Sequence, residues 1–369
     1  MDINTIYDRI ANGQNSFCEA LNSIFFPNEL VKTFRIIASL PKEKKDELFY
    51  ERIMQDLYAA TVGDTNHEYI STPDMPRFGQ CAMNCLHIAA ALGHINLVRK
   101  LFGIFDPDDC FDFDNWGILH YACFSQDTEI YNLCINELKI NIDEQSTHGI
   151  TPLMLAALHG SVEMVEWLIT NGANHSHLTF NRYNIFYFSA TNFEVTKFLI
   201  EQYGKDPHVQ FGHSSSLLSE AIETDSIDVI KYLFNLYPEL LYATCGEYST
   251  PFMMSLYNSK FSICDLCIQH GYNEDNHIGE EVYSLIPRTS SPINTLYYIM
   301  SIGWTLFPAG RTTNILTSSI EHMNIYSTEA ICEILPIDWS ISINGMSYLD
   351  IADQYSDAEH YNYINSFIV

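Results

Sequence analysis

The chain has 369 residues and a net charge of −28, from 46 acidic against 18 basic side chains. A surface this acidic repels phosphate backbones and sets nucleic acid aside as a partner, and no run of 18 apolar residues is present to cross a membrane. The ten cysteines are scattered rather than spaced as a disulfide framework, which fits reduced thiols in a cytosolic compartment.

The chain opens on MDINTIYDRIANGQNSF, without the basic, apolar and small-residue succession of a secretory leader. Residues 1–77 hold 8 basic against 12 acidic side chains, and residues 78–369 hold 10 against 34. The first segment reads as about three helices broken near Pro27 and Pro41. The clearest of them covers 40–57, with Leu40 as a staple residue and Leu48, Phe49, Ile53 and Leu57 as its buried stripe. The stretch 63–80, polar with prolines at 73 and 76, reads as a connection into the rest of the chain.

From about residue 78 the pattern becomes periodic. The plainest copy is HGITPLMLAALHGSVEMVEWLITNGAN, residues 148–174. Thr151 suits a helix N-cap, and Pro152 at the first helical position gives up an N–H that would have no partner there. Leu153, Ala156 and Ala157 predict a short helix with a small-residue face. His159-Gly160 is expected to end it, with Gly160 left-handed. Val162, Val165, Leu168 and Ile169 predict a second helix, ended by Asn171-Gly172. Such a pair cannot bury both apolar faces alone, so copies must stack beside it. They are found at intervals of 32–34 residues: Leu86, Leu119, Leu153, Phe186, Leu218 and Phe252 occupy one register, Leu316 lies two periods further on, and Leu349 comes one period later. Between them, residues 280–304 keep a second-helix stripe and Gly303 but lose the first turn.

Leu86-His87, Leu119-His120, Thr151-Pro152-Leu153, Gly93-His94 and Asn171-Gly172-Ala173-Asn174 together resemble the ankyrin repeat. The resemblance implies an all-α solenoid of about nine helix-turn-helix repeats over 78–369, clear to about 275 and degenerate from 276, behind a helical N-terminal cap formed by 1–77. The fourth copy departs from the pattern, being two residues short at Thr191-Asn192, and the fifth carries Ser215-Ser216 where Thr-Pro is usual. The resemblance also implies that His87 and His120 are structural, bonding within and between repeats. It implies a non-enzymatic scaffold that docks a protein on its concave side. By register that surface comprises Met83, Trp116, His148, Ile150, Tyr183, Ser215 and Ser249 at the hairpins. At the ends of the first helices it comprises Leu92, Phe124, Leu158, His159, Asn192, Thr224 and Tyr257. Trp116 is the expected anchor. The acidic balance favours a partner with a basic face.

A second reading makes the N-terminal helices a recruiting module. FPNELVKTFRIIASLPKEKKDEL (26–48) is loosely similar to an F-box, the helical motif that recruits a ubiquitin-ligase core, and the repeats would then choose the target. The abundance of Tyr, Asn, Ile and Phe and the scarcity of Arg suit an AT-rich genome, such as that of a protist or of an intracellular bacterium that delivers ankyrin proteins into host cytoplasm. Cys264, Cys267 and His270 have zinc-ligand types, but they fall in register with buried Val and Leu positions and read as core. The five aspartates of FDPDDCFDFDN (105–115) lack the central Gly and closing Glu of a calcium loop. None of the GxSxG, P-loop, GxGxxG or HExxH motifs occurs. Neither catalytic residues, metal nor cofactor are expected, and the chain is expected to be a monomer.

Overall fold

A computed structural model describes residues 85–369, apart from 103–110, 113, 126, 247, 249, 274–285, 290, 304–314, 323, 341, 344, 356–357 and 369. The readings of 1–77 as a cap or as an F-box-like module therefore lie outside the described residues, as do Met83, Ser249 and most of the aspartate-rich stretch. The chain divides into two compact units, Met1–Pro207 and His208–Val369. The described residues are helical, with isolated bridges and no strand.

In the first unit the helices come in pairs: α1 (Cys85–Ala91) and α2 (Ile95–Phe102), α3 (Ile118–Ala122) and α4 (Thr128–Asn132), α5 (Pro152–His159) and α6 (Val162–Thr170), α7 (Ile185–Ser189) and α8 (Phe193–Tyr203). First helices pack on first helices, α1 to α3 to α5 to α7, and second helices on second, α4 to α6 to α8. The register residues Leu86, Leu119, Leu153 and Phe186 are buried between them. Local chemistry sets the helix starts. Thr151 Oγ1 accepts from the Met154 amide at 3.4 Å, with Pro152 at the first position. Ser161 and Asn192 cap α6 and α8 in the same way. Asn192 also donates from Nδ2 to the Gly160 carbonyl at 3.0 Å, joining neighbouring pairs.

Gly160 corrects the sequence reading. It is extended, with φ −86°, rather than left-handed. Glycine suits it because of crowding: an added Cβ would lie 2.7 Å from the Ala156 carbonyl oxygen. The second pair has its own irregularity, since α4 runs directly into a π-helical stretch, Leu133–Glu137.

The second unit continues with α9 (Leu217–Glu223) and α10 (Ile227–Leu236), then α11 (Pro251–Tyr257) and α12 (Phe261–Gln269). Ser216 caps α9 through Ser219, so serine does here what Thr-Pro does before α5 and α11. Lys260 caps the C-terminal end of α9, donating to the carbonyls of Ile222 at 3.0 Å and Glu223 at 2.6 Å. Where the repeat pattern blurs, the described residues include a short 3-10 turn, Ile286–Arg288. It packs on α11, on α13 (Pro292–Ser301) and on α14 (Ile315–Glu321). The chain ends with α15 (Ile325–Ile334), α16 (Tyr348–Tyr355) and α17 (Ala358–Ile368). Leu349 holds the second helical position, as the other register residues do, yet it is half-buried. Cys264 and Cys267 are fully buried on α12.

Candidate protein-binding surface

Between helix pairs the chain turns in a hairpin, and a polar residue at its base fixes each turn. Trp116 donates its amide to Asp112 Oδ1 at 2.8 Å, Ile150 to Ser146 Oγ at 3.0 Å, and Tyr183 to Thr179 Oγ1 at 3.0 Å. Each pair is closed by a reciprocal backbone bond, at 2.9–3.1 Å. These turns are the side-chain-to-backbone kind that Asp, Ser and Thr form readily. In the second unit backbone bonds between Phe211 and Ser215, Cys245 and Tyr248, and Ile343 and Met346 close the equivalent turns. The tip position requires a positive φ, taken by Asn115 (60°), Gly149 (75°) and Arg182 (62°).

Successive hairpins are tied by backbone bonds, from Thr147 N–H to Asp114 O at 2.8 Å and from Phe180 N–H to His148 O at 3.2 Å. Beneath them His120 is fully buried. Its Nε2 lies 3.0 Å from the Ile150 carbonyl, an acceptor only, so this nitrogen carries a proton. Its Nδ1 faces the Gly117 amide at 3.2 Å and Glu144 Oε1 at 3.1 Å. His87, also buried, stacks on Tyr121 with ring centroids 4.9 Å apart.

The residues expected on the binding surface separate into groups. Leu92 and Phe124 do not belong there, being 6% and 1% exposed. Leu92 directly follows α1, and Phe124 comes two residues after α3. Phe124 packs against Tyr121 and against His159 of the next pair, centroids 5.2 Å apart. Trp116 is half-buried, stacked over His120 at 6.0 Å and edge-on to Tyr121 at 5.8 Å. Ile150, Leu158, His159, Tyr183 and Asn192 are half-buried as well, and His148 is exposed. In the second unit Thr224 is exposed, with its hydroxyl bonded to Glu220 O at 2.7 Å. Ser215 and Tyr257 are half-buried, and Tyr257 lies 5.1 Å from the Tyr248 ring.

Sequence reasoning missed Phe180 and Leu178, which are 68% and 45% exposed, and Tyr187, which stacks on Tyr183 at 4.1 Å. Large apolar residues inside the polar run NHSHLTFNRY were the available signal. Phe180 lies across Gly149, where an added Cβ would meet its ring at 3.0 Å.

Burial pushes the Asp112 carboxyl above its ordinary range, although Tyr121 donates its hydroxyl to Oδ2 at 2.6 Å. Burial likewise raises the thiols of Cys245, to about 12, and of Cys134, Cys264 and Cys267 further. Such thiols are inert as nucleophiles at neutral pH. Among the described residues no group of three His, Cys, Asp or Glu side chains is placed to hold a metal, and no helix is long and apolar enough to cross a membrane.

Over residues 86–179 the sequence matches the family model for ankyrin repeats in three copies. Among solved structures the chain is similar to the human ASB11 ankyrin repeat domain, at 20% identity and a TM-score of 0.46, covering 58% of this chain and 98% of that one. Paired helices stacked at the sequence period, buried Leu-His positions, a Thr-Pro helix start and the family match make residues 86–179 an array of ankyrin repeats.

Proposed function

We propose that the chain is a non-enzymatic scaffold that binds a protein partner on its hairpins and first helices, with the contact in the first unit centred on the hairpins from Trp116 to Tyr187. Ankyrin repeats mark a protein–protein interaction domain. The observation that supports this placement is a set of large apolar side chains left exposed, Leu178 and Phe180 at a turn whose backbone is already hydrogen-bonded and Tyr187 on α7. Exposed aromatics on a rigid support suit a binding anchor, since little ordering entropy is lost on contact. The net charge of −28 favours a partner with a basic face and speeds its encounter.

Affinity capture with the full chain, followed by mass spectrometry and titration of the captured protein, tests the reading. Phe180→Ala and Trp116→Ala should each weaken binding by roughly tenfold, and added salt should slow association. Binding that is indifferent to both substitutions and lost with changes in residues 1–77 would refute it, and would make the N-terminal segment the recruiting part.

A further inference from the structure

The loop after α6 and the end of α8 bring an amine, a hydroxyl and an imidazole together. Gly204 ends α8 in the left-handed conformation, φ +59°, and the Lys205 amide then bonds back to Leu199 O at 3.2 Å. This turn aims the Lys205 side chain at the loop of the preceding helix pair. Its Nζ donates to Ser176 Oγ at 3.2 Å, and Ser176 Oγ lies 3.3 Å from His175 Nδ1. Tyr203, from the end of α8, lies against the His175 ring with centroids 6.0 Å apart. Glu201 and Asp206, the acidic neighbours in sequence, are exposed.

This placement is unusual for so acidic a chain. With 46 carboxylates available, the ammonium faces a hydroxyl and an imidazole. Burial holds Lys205 below the ordinary lysine range. His175 is also lowered, by burial first and then by the charge of Lys205. A desolvated amine beside a proton acceptor has the features of an activated nucleophile.

We propose that Lys205 is an acylation site, its ε-amine taking an acyl group from a thioester while Ser176 and His175 carry away the proton. The neutral amine nitrogen attacks the thioester carbonyl carbon. A carbon–nitrogen bond forms, the carbon–sulfur bond breaks, and the thiolate leaves. The proton lost by nitrogen passes through the Ser176 hydroxyl to His175 Nδ1. The product is a neutral amide, so the contact between the two helix pairs loses its positive charge. This inference does not rest on the binding surface proposed above.

The test uses the full chain with acetyl-coenzyme A near neutral pH, with the extent of acetylation at each lysine tracked by mass spectrometry. Lys139 and Lys231, both exposed, serve as controls in the same molecule. Lys205 should acetylate faster than either by about threefold or more. Ser176→Ala and His175→Gln, both loop changes, should each bring it down toward the control rates with the circular dichroism spectrum unchanged. The Lys205 rate should level off at a lower pH than the Lys139 rate. A Lys205 rate equal to or below the controls overturns the proposal. So does a fast rate that survives both substitutions, because the three residues would not then act as one site.

Discussion

Two tyrosines of the second helix pair should respond in opposite ways to the loss of one oxygen atom. Tyr131 is fully buried, and its hydroxyl meets no hydrogen-bond partner among the described residues. Its ring stacks on Trp167 with centroids 5.9 Å apart. A buried hydroxyl without a partner costs about 1–3 kcal/mol in desolvation. Phenylalanine keeps the ring and the stack and removes that cost, so Tyr131→Phe should stabilise the fold by about 1 kcal/mol. Tyr121 is buried too, but its hydroxyl donates to Asp112 Oδ2 at 2.6 Å. Tyr121→Phe leaves a buried carboxylate oxygen without that donor, at a cost of about 1–3 kcal/mol. Urea unfolding of the two variants beside the unmodified chain measures both, provided the slopes agree, since unequal slopes mean that the unfolding unit itself has changed. Destabilisation by Tyr131→Phe of more than about 0.5 kcal/mol would refute the reasoning, because the hydroxyl would then be bonded after all.

Asp112 supplies a pH test. Its carboxyl is raised above 3.8 in the folded chain, so the fold binds that proton more tightly than the unfolded chain does. The ionised form therefore costs stability above the folded value, and the cost is relieved as pH falls toward 3.8. Asp112→Asn keeps Oδ1 for the Trp116 and Asp114 amides and should remove this contribution, so wild type should gain on the variant as pH falls through that window. Gly160→Ala should cost about 1–3 kcal/mol, because the new methyl meets backbone at Ala156 that cannot turn aside. Gly172→Ala, at φ +99° with nothing within 4 Å, should cost only about 1 kcal/mol from the conformation itself; thermal unfolding of the two variants compares them. Cys123, Cys134, Cys245, Cys264, Cys267 and Cys332 should stay unlabelled by a thiol reagent in the native chain and react once it is unfolded, as peptide mapping would show.

The repeat was legible because its signals are local. Thr151-Pro152 and Thr250-Pro251 start helices through chemistry contained within four residues, and the anchors from Leu86 to Leu316 are buried at their expected register. What escaped depends on neighbours. Leu92 and Phe124 count to outward positions in the register, but each falls past the end of a short first helix and is buried, Phe124 against His159 of the next pair. Gly160 reads as an ordinary helix stop, whereas crowding against Ala156 is what favours glycine there. The residues that fix the hairpins recur at intervals of 34 and 33, yet as Asp112, Ser146 and Thr179 they form no visible motif. They share only the ability to accept a bond from the amide four residues on.

That shared ability separates two duties within each turn. The bonds from Thr147 to Asp114 and from Phe180 to His148 use backbone atoms, which every residue except proline supplies alike. Side chains at the outer positions of the turn are thereby freed from holding it together. Such positions have wide mutational latitude: the chain can exchange one recognition surface for another while its helices stay unchanged, and a foreign tip sequence placed between Thr179 and Tyr183 should be carried at little cost to folding, provided position 182 keeps a residue that accepts a positive φ.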